Sequence, residues 1–329
     1  MLHFGRDICG NLAVSEMREW LVTNGLGGFA SGTVAGLLTR RYHGLLLAAV
    51  QPPAGRVLMV SKVDETVTYA GMQAALHLNR WTGGVVEPDG YRYLEQFHLE
   101  GTTPVWTYAI ADALLEKRIW MQQGANTTYV HYCWRRASAP LHFEARVMVN
   151  YRNFHHDTHA GDWHMQVEPV SQGLKIKPYE GAISFYLFSD TAKATPRHDW
   201  YRRFFLMREA NRGLNAIEDH LHAADFQAEL QPGETLTLVF STEANPDLDG
   251  VAEYARQRAY EEQLLATAEE RSGGAEEQDH RVTRSPCHSC ISAAAHPRRR
   301  PVHRQAAVAQ RSRRSCHTGR LSLVWRLRP

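Results

Sequence analysis

The chain lacks the marks of several protein classes. Met1-Leu2-His3-Phe4-Gly5-Arg6-Asp7 has neither the basic start nor the apolar core of a signal peptide. Long hydrophobic runs are missing too: the longest, Leu45 to Val50, falls far short of the ~20 residues that cross a bilayer, so no membrane partner is expected. Cysteine is scarce and odd in number, five in all, and only Cys9 and Cys133 precede residue 275. That excludes a disulfide framework and makes the reducing cytoplasm the expected location. The phosphate-loop pattern G-x-x-x-x-G-K-[ST] is absent, and no cofactor is expected. Acidic residues stop at Asp279, and lysine does not occur after residue 274.

What is present is a 329-residue chain with 43% hydrophobic, 10% aromatic and 22% charged residues, enough for one large core or two modest ones. Its net charge of +2 is an average over unlike pieces. Residues 275–329 carry 12 Arg against Glu276, Glu277 and Asp279, which is +9 and leaves −7 for residues 1–274. The mild overall basicity therefore says nothing about partners.

Between residues 56 and 240 the pattern predicts strand after strand. The segments are Val57 to Tyr69, Tyr93 to Leu99, Val105 to Ile110, Leu114 to Met121 and Thr127 to Trp134, then Leu141 to Tyr151, His164 to Val170, Leu174 to Tyr179, Ile183 to Phe188 and Phe226 to Phe240. β-branched and aromatic residues dominate them, and Leu141, Phe143, Ala145, Val147 and Val149 alternate as one buried face requires. Turn chemistry separates them at Glu87-Pro88-Asp89-Gly90, Ser171-Gln172-Gly173 and Gln231-Pro232-Gly233-Glu234. Strands this close, with no helices between them, predict a mainly β protein built as a large antiparallel β-sandwich over residues 1–245.

A helical period follows. Asp247 or Asp249 can cap a connector helix over residues 246–274, with Val251, Tyr254, Leu264, Leu265 and Ala268 as its apolar stripe and Gly273-Gly274 as its end. Residues 275–329, with Pro297-Arg298-Arg299-Arg300-Pro301 and Arg311-Ser312-Arg313-Arg314, read as a disordered basic tail that cannot bury enough surface to order itself.

The most informative stretch is Glu19-Trp20-Leu21-Val22-Thr23-Asn24-Gly25-Leu26-Gly27-Gly28-Phe29-Ala30-Ser31-Gly32-Thr33, followed by Thr39-Arg40-Arg41-Tyr42-His43-Gly44-Leu45-Leu46. Six glycines between Gly25 and Gly44 permit positive φ and close backbone approach. Arg40, Arg41, Tyr42 and His43 cluster donors around an aromatic face, which suits a hydroxyl-rich ligand. The same arginines can equally be ion-paired scaffold holding the glycine-rich turn.

These motifs resemble the opening of bacterial and archaeal glycogen debranching enzymes of the amylo-α-1,6-glucosidase type. Ser61-Lys62-Val63-Asp64-Glu65, Tyr201-Arg202-Arg203-Phe204, Ala210-Asn211-Arg212-Gly213-Leu214 and Glu218-Asp219 fit the same family in order, so the resemblance covers about residues 15–272. It implies an N-terminal β-sandwich followed by an (α/α)6 toroid that carries the glycosidase chemistry. It further implies hydrolysis of α-1,6 branches, with possible α-1,4-glucan transfer, and glycogen or a related α-glucan as partner.

The sequence departs from that pattern where the toroid should begin. Glycoside hydrolysis needs two carboxylates flanking the bond, and the 55 residues after Gly274 contain no acid beyond Asp279. The expectation is a chain separated from its catalytic helical domain, with no catalytic residues of its own. The expectation is that residues from about 275 onward are a frameshifted reading of that domain's start: with codons chosen as CGG CTA TCC TTG GTT TGG CGA, Arg320 to Arg326 read one base later as Gly-Tyr-Pro-Trp-Phe-Gly, similar to a cleft motif of that domain. Sequencing the locus tests it; an unbroken frame with no helical domain in the shifted one removes the idea. The rival reading takes Cys287-x-x-Cys290 with His288, His296, His303, Cys316 and His317 as a zinc or nucleic-acid tail, but a single Cys-x-x-Cys is a weak signal.

Other groups receive blander readings. His155-His156-Asp157-x-His159 and His164 form a solvated loop rather than a metal site, and no metal is expected. Tyr151-Arg152-Asn153 with Trp163 can face a domain junction or glucan. Trp81, Trp106, Trp120 and Trp134 are expected in the core, while Glu95, Glu100, Glu116 and Glu168 receive no catalytic role. Asn126-Thr127-Thr128 matches a glycosylation sequon by chance. The candidate substrate-binding set is therefore Asn24, Arg40, Arg41, Tyr42, His43, Tyr151 and Arg152, with no nucleic-acid partner. The alternative function is a stand-alone carbohydrate-binding or interaction sandwich without catalysis. A sandwich made to dock on a toroid is also expected to expose an apolar face.

Overall fold

The computed structural model describes residues 2–282, with side chains through residue 269. Two antiparallel sheets dominate it. The nine-stranded sheet runs, edge to edge, His3–Phe4, Leu94–Glu100, Thr103–Ile110, Ala113–Met121, Thr127–Arg136, Thr235–Ser241, Phe185–Ser189, Gly173–Lys177 and Gln166–Val170. The eight-stranded sheet runs Lys193–Phe205, Ile217–Leu230, Leu141–Asn153, Ala54–Tyr69, Gly44–Gln51, Phe29–Thr33 and Glu19–Thr23, with Met72–Ala75 paired to Ala54–Tyr69. The mainly β antiparallel architecture agrees with the sequence pattern.

The core lies between the sheets and follows the period of two. Leu141, Phe143, Ala145, Val147 and Val149 are all fully buried and pair with Tyr69, Val67, Glu65, Val63 and Val60 on the neighbouring strand. Rings from the other sheet meet them, with the Tyr132 and Phe143 centroids 4.7 Å apart and Tyr69 and Trp134 5.2 Å apart. Truncating one such buried ring to alanine costs about 3–5 kcal/mol in lost burial and cavity. One polar pair also spans the layers: Glu65 accepts from the Lys117 ammonium and, at 2.7 Å, from the Tyr132 hydroxyl.

Several elements differ from the sequence reading. The glycine-rich stretch is itself sheet, forming Glu19–Thr23, Phe29–Thr33 and the start of Gly44–Gln51. Glycine has little strand preference, yet here it is required by packing. A Cβ on Gly32 would lie 3.2 Å from the Trp20 ring, and one on Gly44 would lie 2.3 Å from Leu58 Cδ1. Lys193–Phe205 is a strand that polarity concealed, and Phe226 to Phe240 divides at the Gln231–Glu234 turn into the ends of two strands. Trp81 is not core: it is half-buried, its ring tilted against Phe204 with centroids 4.7 Å apart. Trp120 is buried, but on the outer face of the nine-stranded sheet with Tyr129, Phe188 and Val239.

The helix Gly250–Val282 covers that outer cluster. Asp249 supplies the cap, its Oδ1 accepting from Ala252 N at 2.9 Å. The stripe that seats the helix is polar rather than apolar: Glu253, Gln257 and Glu261 are buried with half-buried Tyr254, while Val251, Leu264 and Leu265 are 61%, 52% and 65% exposed. Tyr254 carries the anchor. Its ring lies 5.1 Å from Trp120 and under the Arg118 guanidinium, and its hydroxyl donates to Glu100 Oε2 at 2.6 Å. The helix also continues through Gly273-Gly274 to Val282, because glycine weakens a helix by about 1 kcal/mol without obstructing it. Residues 275–282 are therefore helical; the remainder of the expected disordered tail, its Cys287-x-x-Cys290 and the frameshift reading lie outside the described residues.

The expected open apolar sheet face does not occur among the described residues. Within strands, the exposed large apolar side chains are Met72 and Val170. The outer side of the eight-stranded sheet is occupied by polar groups, described next. No helix among the described residues is long and apolar enough to cross a membrane.

Candidate functional site

One end of the eight-stranded sheet gathers a group of buried, paired charges. Strand order places Leu141–Asn153 between Ala54–Tyr69 and Ile217–Leu230, so Lys62, Asn150, Arg152, Glu218 and His220 become lateral neighbours. Arg152 is almost fully buried and grips Glu218 with both ends of its fork, Nε to Oε1 and Nη2 to Oε2 at 3.0 Å. Its Nη2 also donates to the Arg41 carbonyl at 2.8 Å, which ties the strand to the Thr39–His43 turn. Burial pushes the Glu218 carboxyl above its ordinary range, against the pull of Arg152.

The Thr39–His43 turn is held by a second buried acid. Glu209, in the one-turn helix Met207–Ala210, accepts from Arg41 N at 3.1 Å and lies 3.5 Å from Arg41 Nε. The rest of the Arg41 guanidinium is spent on carbonyls of His155 and Asn215, the latter at 3.0 Å. Arg40 turns the other way and donates to Glu19 Oε1 at 2.6 Å. His43 is buried; its Nδ1 accepts from Thr39 N at 3.1 Å, which leaves Nε2 protonated and facing Glu19 at 3.5 Å. Burial alone would raise Glu19, but the bonds from His43 and Arg40 hold it down at about 2.

Deeper in the sheet the network is completed by amides and histidine. Asn150 donates to the Asp219 carbonyl and to His220 Nδ1 at 3.0 Å and accepts from Thr158 Oγ1 at 2.7 Å. Burial, with Arg152 and Lys62 nearby, holds His220 far below its usual range, so it is neutral. Asp219 receives Ala160 N at 2.9 Å and Arg203 N at 2.8 Å. The second bond fixes Arg203 at φ 69, a left-handed conformation that a non-glycine residue adopts only when held.

Above this platform stand groups that reach solvent. Tyr42 is half-buried, its hydroxyl 3.1 Å from His155 Nδ1 and its ring 5.6 Å from Phe154. His155, His156, His159, Asn153 and Asn215 are exposed around it. Asp157 accepts from the Asn215 amide, and His159 Nε2 lies 3.5 Å from the same nitrogen.

The seven residues singled out in the sequence thus separate by place. Arg41, Tyr42 and Arg152 converge on one network. Arg40 and His43 share Glu19 beside it. Tyr151 lies on the far side of its strand, its hydroxyl accepting from Ile183 N at 3.1 Å and its ring 5.4 Å from Tyr179. Asn24 is apart and fully buried, donating to the Ala125 carbonyl at 2.9 Å and to Asn126 Oδ1 at 3.0 Å. Asn126, the sequon asparagine, is held in turn by both backbone groups of Ala49 at 3.0 Å.

Sequence reasoning did not assign the acids that organise the site: Glu19, Glu209, Glu218 and Asp219. Glu218-Asp219 was visible as a motif, but the Arg152 that pairs with Glu218 lies 66 positions away and the N–H donors to Asp219 lie 59 and 16 away, so nothing in the local pattern joins them. Among the described residues, every buried carboxylate meets a cation or an N–H donor. No cluster of His, Cys, Asp and Glu fit to hold a metal occurs among the described residues. The site presents aromatic faces, imidazoles and amides on a base of paired charges.

No curated protein matches the chain at a significant level. The family described as glycogen debranching enzyme N terminal matches residues 18–237, from the start of the tryptophan-led strand to the last strand of the sandwich. That span holds both sheets' central strands, the Gly25–Gly44 stretch and the whole Arg41–Arg152 platform, and the chain belongs to the glycogen debranching enzyme N-terminal family.

Proposed function

We propose that this chain is the structural and glucan-contacting part of a cytoplasmic glycogen debranching enzyme, with branch hydrolysis performed by a helical catalytic domain. One observation carries this reading: the charges of Arg41 and Arg152 are paired with those of Glu209 and Glu218, while Tyr42, Phe154, His155 and Asn215 stand above them toward solvent. A pyranose presents an apolar C–H face and a rim of hydroxyls, each both donor and acceptor. An aromatic ring flanked by imidazole and amide groups meets both needs.

Catalysis by the described residues is disfavoured by the same geometry. A glycosidase needs one carboxyl free to donate a proton and another to act as base or nucleophile across an open cleft. The buried acids here are committed to arginine, lysine or backbone donors.

The test is co-sedimentation of the purified chain with glycogen, together with reducing-sugar release from limit dextrin. Retention without release is expected, with retention lowered about tenfold by Tyr42→Ala. Sugar release by the chain alone, or no retention on glycogen, would overturn the proposal.

A further inference from the structure

A second concave site lies between the C-terminal helix and the outer face of the nine-stranded sheet. It encloses about 170 Å3 and is lined on the sheet side by Trp120, Gln122 and Gln123 and on the helix side by Glu253, Arg256, Gln257 and Tyr260. We propose that this cleft holds a glucosyl unit of an α-1,4-glucan, so that the chain grips its polymer at two places. The proposal rests on the reading that the chain engages α-glucan, and adds a location and a set of contacts to it.

The lining determines the class of ligand. Three primary amides, from Gln122, Gln123 and Gln257, each offer a donor and an acceptor, which matches hydroxyl groups better than any ion. The Arg256 charge is already balanced by Glu253, 2.6 Å away, and by Asp247. An anion would meet Glu253 without a free counter-charge, and an apolar ligand would bury the amide oxygens and the N–H groups not already given to Thr23 and Glu261. Tyr260 is 39% exposed and offers a ring for the C–H face of a sugar.

A separate observation points to the same place. The indole N–H of Trp120 has no hydrogen-bond partner among the described residues, although Trp120 is 1% exposed. Buried donors are rarely left so, and this one belongs to a side chain that lines the cleft, where an occupant changes its surroundings. Trp120 itself is packed on both sides, stacked on Tyr129 at 5.3 Å and tilted against Tyr254 at 5.1 Å. The volume corresponds to about six waters at ~30 Å3 each, enough for roughly one pyranose ring.

The cleft also gives the buried Asn24 a task. Its carbonyl accepts from Gly124 N at 2.8 Å, and Gln123 Nε2 donates to the Thr23 carbonyl at 2.9 Å. The glycine-rich turn therefore fixes the Gln122–Asn126 turn that forms one wall. Asn24 is a positioning residue here, and does not touch the ligand.

Titrating the full chain with maltotriose while following its 1H–15N spectrum tests the proposal. The Trp120 indole resonance, assigned by its loss in Trp120→Phe, is expected to shift on binding. Tyr260→Ala and Gln122→Ala are expected to weaken that shift's midpoint about tenfold with an unchanged urea midpoint, and Tyr42→Ala to leave it in place. Wild-type affinity in Tyr260→Ala and Gln122→Ala, with binding abolished by Tyr42→Ala, would overturn the cleft and leave the glucan reading standing. No binding of either maltotriose or glycogen to the wild-type chain would overturn both.

Discussion

Replacing Arg152 with Met probes whether the polar end of the eight-stranded sheet is held by a buried ion pair. The Arg152 side chain is 4% exposed and that of Glu218 1%, and the guanidinium contacts both carboxylate oxygens and the Arg41 carbonyl. Met preserves the aliphatic stem but leaves the buried carboxylate without its principal cation, which costs about 3–5 kcal/mol near neutral pH. The cost must depend on pH. Burial already raises Glu218, and removing Arg152 takes away the main force that opposes this. An acid whose folded pKa is raised contributes stability fully present below its unfolded value of about 4.3, and that contribution is lost as pH rises through the folded value. Arg152→Met moves the folded value further up. The deficit relative to wild type is therefore smaller near pH 5 than near pH 8, growing between them by at most about 1.4 kcal/mol per pH unit on top of the pH-independent loss of the guanidinium's hydrogen bonds. Urea unfolding across that range measures it, provided the slope m is unchanged. Adding Glu218→Leu removes the stranded charge and should recover most of the loss. A deficit below about 1 kcal/mol that is flat in pH would refute the buried-pair account, because that is the behaviour of a surface pair.

Other perturbations follow from the same contacts. Glu19 is held at about 2 by His43 and Arg40, so its contribution is present above its unfolded value and lost as pH falls toward 2; Glu19→Gln should cost roughly 1–2 kcal/mol at neutral pH after allowance for its partial exposure, and should flatten the acid limb of a stability profile. Glu261 accepts from Thr102 N at 3.2 Å and from Thr102 Oγ1, Gln257 and Arg258, so Glu261→Ala should loosen residues 250–269 by about 2 kcal/mol, seen as faster hydrogen exchange there and not in the sandwich. Gly27 and Gly36 both have positive φ, but a Cβ on Gly27 would lie 2.6 Å from the Pro53 carbonyl oxygen, whereas on Gly36 it meets nothing within 4 Å. Gly27→Ala should therefore cost about 2–4 kcal/mol and Gly36→Ala about 1–2, a difference readable in thermal midpoints. Equal costs would show that strain in φ alone governs both.

Much of the fold was legible because a half-buried strand writes its face into the sequence. The alternation from Leu141 to Val149 predicts a buried side, and all five residues are fully buried. Legibility failed where packing overrode propensity. Gly32 and Gly44 sit in strands because Trp20 and Leu58 occupy the space a side chain would need, and neither partner is a sequence neighbour. The connector helix shows the same division. Its Asp249 cap is a local interaction and could be anticipated, whereas its seat could not, since Glu261 meets Thr102 and Tyr254 meets Glu100 across 159 and 154 positions of sequence.

The candidate site divides along that line too. Arg40, Arg41, Tyr42, His43 and Arg152 stood out through residue type and a family motif, and Arg41, Tyr42 and Arg152 do meet. Their acids did not stand out. An ion pair such as Arg152 with Glu218 forms across strands 66 residues apart, and its consequence, a stable platform rather than a free cation, depends on exclusion of water from both groups. The sequence by itself determined the antiparallel sandwich, the capped helix and the family, because period, turn chemistry and motif order are local properties of the chain. Only the tertiary structure decided which charges are neutralised, which aromatic groups reach solvent and where a cleft opens beside Trp120. Those properties arise from strand order and burial, and burial belongs to the folded chain as a whole.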